Sequence, residues 1–278
     1  MAEPQPQPRA PLAVRGPGQP TTIVRVGPVA FGGEKVVLIG GPCAVEGREQ
    51  ILASAEHAAR AGAAMLRGGA WKPRTSPYDF QGLGREGLAL LAEARQRTGL
   101  PVVTEVLDPR DVADVAAVAD MLQIGSRSVQ NFPLLREVGR SGRPVLLKRG
   151  MMTTVDEWLS AAEHVLAAGG RDLVFCERGI RTFEPALRNT LDLGSVVVLK
   201  ERTHLPVIVD PSHAAGDVRF VAALARAAVA AGADGLLVET HCAPGEALSD
   251  GGQSLDAAAF AALAVSCRAV ARAVGRDL

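Results

Sequence analysis

From Lys35 onward the chain repeats one pattern: a short apolar run, a polar or glycine-rich loop, an amphipathic stretch and a brief link. The apolar runs occupy residues 36–41, 64–68, 101–107, 121–125, 144–148, 172–176, 206–210 and 235–239. Most are continuous rather than alternating, the sign of strands buried on both faces of a parallel sheet. The stretches between them carry helical spacing. Residues 49–61 place Ile51, Leu52, Ala55 and Ala58 on one side. Asp108 and Pro109 open the third helix as its cap and first residue. Thr154 and Glu157 have capping-box spacing ahead of the stripe Trp158, Leu159, Ala162, Val165 and Leu166, and Gly169-Gly170 ends it. Asp217 caps a helix with Phe220, Val221, Leu224 and Ala228 inward, and an alanine-rich helix spans 255–274. The sixth helix is ambiguous: 185–189 is short, and 193–200 also reads as a strand.

Eight such strands alternating with helices across residues 35–278 predict a (β/α)8 TIM barrel, an α/β fold. The competing fold, an open doubly wound sheet, lacks its GxGxxG fingerprint after the first strand. Residues 1–20 are rich in Pro, Gln and Arg and are expected to be a disordered tail. Residues 21–34 alternate weakly at Thr22, Val24 and Val26 and end in Gly32-Gly33. They predict a small hairpin or extension before the barrel at 35–278.

Composition narrows the partners. The 278 residues are 47% hydrophobic, which suits one large domain or two small ones. With 30 basic and 30 acidic side chains, nothing points to nucleic acid or a membrane surface, so any basic site must be local. Cys43, Cys176, Cys242 and Cys267 are widely spaced without a CxxC pair, which argues against a disulfide framework or zinc knuckle and for a reducing, cytoplasmic setting. No apolar run is long enough to span a bilayer, and no signal pattern opens the chain.

In such a barrel the loops after the strands open on one face. The charged residues gather there, while the strands are nearly charge-free. After the second strand, residues 67–84 (RGGAWKPRTSPYDFQGLG) carry Arg67, Lys72, Arg74 and Thr75 between glycines and prolines, a stiff anion clamp. Glu105, Arg127, Lys148, Arg149, Arg178 and Arg181 follow the next strands. Together, cations with few acids between them call for a highly charged substrate, such as two phosphates and a carboxylate. Cys43, His213, Glu239 and Asp250 form a second set of sulfur, imidazole and carboxylates. Mixed ligation of that kind suits a divalent transition metal rather than Mg2+ or Ca2+, provided the barrel brings the four together.

At residues 41–47 (GPCAVEG), 67–84, 124–131 (IGSRSVQN), 146–151 (LLKRGM), 176–184 (CERGIRTFE), 210–216 (DPSHAAG) and from Glu239 (ETH, then SDGGQSL), the chain resembles 3-deoxy-D-arabino-heptulosonate-7-phosphate (DAHP) synthase in its short bacterial form. The resemblance runs from about residue 36 to 256. It implies a cytoplasmic transferase at the entry to the shikimate pathway, leading to chorismate and the aromatic amino acids. It would condense phosphoenolpyruvate (PEP) with erythrose 4-phosphate and release phosphate. By motif, Arg67, Lys72, Arg127, Lys148 and Arg178 would hold PEP, and Lys72, Arg74 and Thr75 would reach the aldose, the last two taking its phosphate. Cys43, His213, Glu239 and Asp250 would bind the metal: Mn2+ first, with Fe2+, Co2+, Zn2+ or Cd2+ as substitutes. Lys72, Lys148, Glu105 and His213 are the residues expected in the chemistry itself.

The related 3-deoxy-D-manno-octulosonate 8-phosphate (KDO8P) synthases share the PEP chemistry but use arabinose 5-phosphate, typically with an Asn-Arg-Ser form of the clamp. Here the loop reads Lys72-Pro73-Arg74-Thr75, which favours the four-carbon acceptor, and Cys43 favours metal dependence. A non-catalytic sugar-phosphate-binding barrel is the third reading, though none of the expected positions is lost. The resemblance further implies a homo-oligomer, dimer or tetramer. It leaves room for a regulatory partner such as a chorismate mutase, since no built-in sensor domain is expected from the short stretch ahead of the barrel.

Overall fold

A computed structural model describes residues 10–278. An antiparallel hairpin, β1 (Val24–Val26) and β2 (Val29–Phe31), comes first. Eight strands follow: β3 (Val37–Gly41), β4 (Met65–Arg67), β5 (Val102–Glu105), β6 (Met121–Ile124), β7 (Val145–Lys148), β8 (Leu173–Glu177), β9 (Val207–Val209) and β10 (Gly235–Glu239). Each is parallel to its neighbours, and β10 pairs back onto β3 from Gly235 opposite Val37 to Glu239 opposite Gly41, so the sheet closes. The helices are α1 (Arg48–Arg60), α2 (Arg85–Thr98), α3 (Val112–Val118), α4 (Phe132–Arg140), α5 (Val155–Ala167), α6 (Leu193–Arg202), the short α7 (Pro211–Ala215), α8 (Val218–Ala230) and α9 (Ala257–Ala273). This is the (β/α)8 barrel. None of these helices is long and apolar enough to cross a membrane.

Successive strand residues face opposite sides of the sheet, and here both sides are buried. Leu38, Leu66, Val102, Leu122, Leu147, Phe175, Val209 and Leu236 pack outward with the helices. Val37, Ile39, Met65, Val103, Met121, Leu146, Val174, Cys176, Ile208 and Leu237 fill the barrel interior. The hairpin adds Val24, Val26, Val29 and Phe31 to that inner cluster, next to the first residues of the strands. It therefore stoppers the end of the barrel opposite the strand-following loops.

Three expectations need correction. Residues 10–20, assigned to a disordered tail, are packed against the barrel, while 1–9 lie outside the described residues. The amides of Leu12 and Ala13 donate to Glu163, Val14 bridges Thr203, and Ala13 is fully buried. Partners on α5 and beyond α6 supply what the tail's own composition lacks. Second, residues 193–200 are helical, and 185–189 are not. Asp192 caps α6 through the Ser195 amide, and Ser195, Val196 and Leu199 are buried while Val197 and Val198 are exposed, a period of 3.6 rather than 2. In 185–189 the amides of Arg188 and Asn189 donate to Ala215 and Ala214, so they are not available to a local helix. Third, Phe220 of α8 is exposed rather than inward, with the Arg219 guanidinium over its ring; Val221, Ala225, Ala228 and Val229 form the buried face.

Candidate active site

Two residues beyond the innermost apolar layer, the inward positions change character. Ile39, Met65, Val103, Met121, Leu146, Cys176, Ile208 and Leu237 are followed, two places on, by Gly41, Arg67, Glu105, Gln123, Lys148, Arg178, Asp210 and Glu239. Strand periodicity alone therefore sets a polar ring on an apolar floor. Gly41 belongs to that ring because nothing larger fits: its φ is +147°, and a Cβ there would lie 2.0 Å from the Arg67 carbonyl oxygen.

Above the ring opens a cavity of about 310 Å3. Lys72, Arg74, Arg127, Lys148 and Arg178 line it, and so do Thr75, Glu105, His213 and Asp250. Cys43, Arg67 and Glu239 are buried just behind the wall. The twelve expected residues thus converge on one end of the barrel. Among the described residues Arg178 makes only two long bonds, to the carbonyls of Gly179 and His213, so most of its donors remain for a ligand, and burial pulls its guanidinium below its ordinary value. Arg67 is more committed. Its Nη1 donates to Pro42 O and Glu239 Oε1, both at 2.7 Å, and its buried Nε has no partner among the described residues. Arg74 donates to the carbonyls of Phe80 and Leu248, which ties the β4 loop to the β10 loop.

The Asp-Pro-Ser-His stretch builds the centre of the site through an ordinary helix start. Asp210 is the N-cap of α7, Pro211 takes the first position, and His213 sits at the third. Asp210 Oδ1 accepts from the His213 amide at 2.9 Å; its Oδ2 accepts from the His213 ring Nδ1 at 2.7 Å and from Lys148 Nζ at 2.6 Å. Burial opposes the Asp210 charge, yet His213 and Lys148 hold its carboxyl well below the usual range. Burial also lowers the His213 imidazole, more than the Asp210 charge lifts it.

With Nδ1–H given to Asp210 and the ring neutral, His213 presents a bare Nε2. It faces Glu239 Oε1 at 3.3 Å and Asp250 Oδ2 at 3.8 Å. Acceptors facing acceptors repel unless a cation stands among them. Cys43 Sγ completes the group, donating to Asp250 Oδ2 at 3.1 Å and accepting from Ser249 Oγ at 3.0 Å. The four ligand atoms lie within 4.8 Å of one another, which matches ligands placed about 2.0–2.4 Å from one shared ion. Burial, then the Glu239 charge, pushes the Cys43 thiol up to about 11, so a metal would have to displace that proton. The quartet fits a divalent transition metal.

Several residues outside the expected set contribute. Asp210 carries Lys148 and His213, and its cap spacing was the available signal. Gln123 Nε2 donates to Glu105 Oε2 at 3.0 Å. Arg188 and Gln253 contact Asp250 and Glu239. Arg149 does not line the cavity; it is buried on the outward side of β7, where its Nη1 donates to Glu177, Asp192 and Ser195 and so fixes the β8 loop to the start of α6.

Comparison with known proteins agrees with this geometry. A family model described as the DAHP synthetase I family matches residues 21–274. The chain belongs to that family. Its relatives include the phospho-2-dehydro-3-deoxyheptonate aldolase of Thermotoga maritima, 49% identical over 254 residues, which cover 91% of this chain and 75% of that one. The crystal structure of the Thermotoga maritima DAHP synthase superposes with a TM-score of 0.93 at 47% identity, over 96% of this chain and 78% of that one. A 2-dehydro-3-deoxyphosphooctonate aldolase of Acidithiobacillus ferrooxidans is 35% identical over 232 residues, covering 77% of this chain and 82% of that one. Identity is thus greater to the relative named a heptonate aldolase than to the one named an octonate aldolase.

Proposed function

We propose that the chain condenses PEP with D-erythrose 4-phosphate and water to give DAHP and phosphate. The observation that carries this reading is one cavity lined by seven Lys and Arg side chains, with a Cys-His-Glu-Asp quartet at its wall. Arg67, Lys72, Arg127, Lys148 and Arg178 hold the PEP phosphate and carboxylate, while Arg74 and Thr75, with Lys72, take the aldose phosphate. Cys43, His213, Glu239 and Asp250 hold a divalent metal, Mn2+ first, with Fe2+, Co2+, Zn2+ or Cd2+ able to replace it. When bound, it supplies Lewis-acid polarisation of the aldose carbonyl.

The chain's own groups do the rest. The PEP double bond gives its electron pair to the aldehyde carbon, forming the C–C bond as the C=O π pair moves onto the aldehyde oxygen, which takes up a proton, and positive charge develops at C2 of PEP. Water adds at C2, loses a proton, and the C2–O bond to phosphate then breaks. Arginines already pointed at the phosphate stabilise the departing charge without reorganising. Lys148 and Glu105 are placed to move the water's protons, since both line the cavity from inward strand positions. His213 serves through its Nε2, oriented by Asp210.

Glu105 sits where it does because Gly125 lacks a side chain. A Cβ at Gly125 would stand 2.0 Å from Glu105 Oε1 and 2.7 Å from its Cδ. Gly125→Ala is expected to push Glu105 off its position and lower kcat about 100-fold, the cost of roughly 1 Å of misplacement. An unchanged kcat in the folded variant would remove Glu105 from the mechanism.

The acceptor is tested by incubating purified protein with PEP, Mn2+ and either erythrose 4-phosphate or arabinose 5-phosphate, following PEP loss. Turnover is expected with the tetrose phosphate. Turnover confined to the pentose phosphate would assign the KDO8P reaction, and none with either would favour a binding role. A dimer or tetramer, and control by a partner such as a chorismate mutase, complete the proposal. Strongly exposed Met152 and Phe183, on the loops after β7 and β8, support the oligomer.

A further inference from the structure

Glu239 and Asp250 each present two carboxylate oxygens, but each has one oxygen held back. Glu239 Oε2 accepts from Gln253 Nε2 at 2.6 Å, while Oε1 faces His213 and also accepts from Arg67 Nη1 at 2.7 Å, which leaves it a second lone pair. Asp250 Oδ1 accepts from Arg188 Nη1 at 3.1 Å, while Oδ2 faces Cys43 and His213. The same Arg188 Nη1 donates to Gln253 Oε1 at 2.9 Å. One chain of bonds therefore runs Glu239–Gln253–Arg188–Asp250.

The orientation of the Gln253 amide is forced. Glu239 can only accept and Arg188 can only donate, so the amide nitrogen must face the carboxylate and the oxygen the guanidinium. Neither Glu nor a hydrocarbon can do both jobs. Gln253 is buried, at 2% exposure, so its bonds are not traded for water. Asp250 needs such support. It is the one described non-glycine residue with positive φ, at +56°, and Gln253 closes the turn by donating its own amide to the Asp250 carbonyl at 3.2 Å.

We infer that Gln253 and Arg188 are positioning residues for the metal: together they turn one oxygen of Glu239 and one of Asp250 toward Cys43 and His213. Arg188 also lines the cavity, on the same loop as Arg178 and Arg181, so the wall that meets the substrates is linked to the ligand pose. This rests on reading the quartet as a metal site.

The test is Cd2+ binding to metal-free protein, followed by the ultraviolet thiolate-to-cadmium band, for the parent, Gln253→Met, Gln253→Glu and Arg188→Met. Thermal midpoints in EDTA report the fold. Removing a partner that orients a ligand typically weakens metal binding about 10–100-fold, and that loss is expected for Gln253→Met with the EDTA midpoint little changed. Gln253→Glu, which keeps the shape but loses the donor, should not restore parent affinity. Arg188→Met should weaken binding too, and the double variant by less than the product of the single effects, because both act through one chain. Arg188 is partly exposed, so its variant decides the matter if Gln253→Met does not fold. Cd2+ affinity within threefold of the parent in the folded variants would overturn the inference alone; no Cd2+ binding by the parent would overturn the metal reading with it.

Discussion

Replacing Cys43 by alanine is expected to abolish turnover while leaving the barrel folded. The substitution removes one buried sulfur and no backbone contact, so the stability loss stays near the ordinary cost of a point change, about 1 kcal/mol. The effect on chemistry is far larger. Carbon 3 of PEP is a weak nucleophile, and polarisation of the aldehyde contributes several kcal/mol, so its loss lowers the rate by about 1,000-fold or more. Parent protein stripped with EDTA should lose activity and regain it with Mn2+; Cys43→Ala, treated identically, should not recover. A variant that returns to the parent rate on adding metal would take the thiol out of the mechanism.

Lys148→Met carries the second large effect, and it should appear in two measurements. Lys148 Nζ lies 2.6 Å from Asp210 Oδ2, and both side chains are buried. Losing the ammonium leaves Asp210 with the His213 amide and ring N–H as hydrogen-bond donors but no cation at its carboxylate, and breaking a buried pair from one side costs about 3–5 kcal/mol of stability. At the proposed reaction centre the same change would remove a cation and the proposed proton carrier, an expected loss of about 10²–10⁴ in kcat. Lys148→Arg separates the two. It keeps the charge beside Asp210 and should recover most of the denaturation midpoint. It should not recover kcat, because a planar guanidinium that stays protonated cannot replace a compact amine in proton transfer. Should kcat of Lys148→Met stay within threefold of the parent, the assignment fails.

The barrel was legible because its strands are apolar runs and its helices carry caps. Thr154 and Glu157 form the capping box in the structure as in the sequence, and Trp158 behind them is fully buried. What could not be read was the inward layer. Met65 faces in and Leu66 faces out, yet both are large and apolar, so nothing in the letters marks which side of the sheet each takes. Only closure of the barrel shows that Arg67 and Lys148 stand in one ring. Asp210 has a legible local signal, Asp-Pro at a helix start, but that signal marks a cap and says nothing of the bond to Lys148, 62 positions away. Gln253 had no signal: a neutral amide in a glycine-rich stretch looks like any loop residue. The packing of residues 10–20 was invisible for a different reason. Their anchors, Glu163 and Thr203, are about 150 and 190 positions away in sequence, and composition describes only what a segment can do alone.

The seam between β3 and β10 has a consequence for biosynthesis. The first strand of the barrel waits for the last, so a nascent chain keeps the β3 edge open until β10 has left the ribosome. That edge is apolar at Val37, Leu38 and Ile39, and until β10 arrives its backbone groups lack their partners. Every interruption of translation before Gly235 therefore leaves a fragment whose earliest barrel strand lacks one of its two partners, the kind of unpaired edge that makes incomplete chains prone to association.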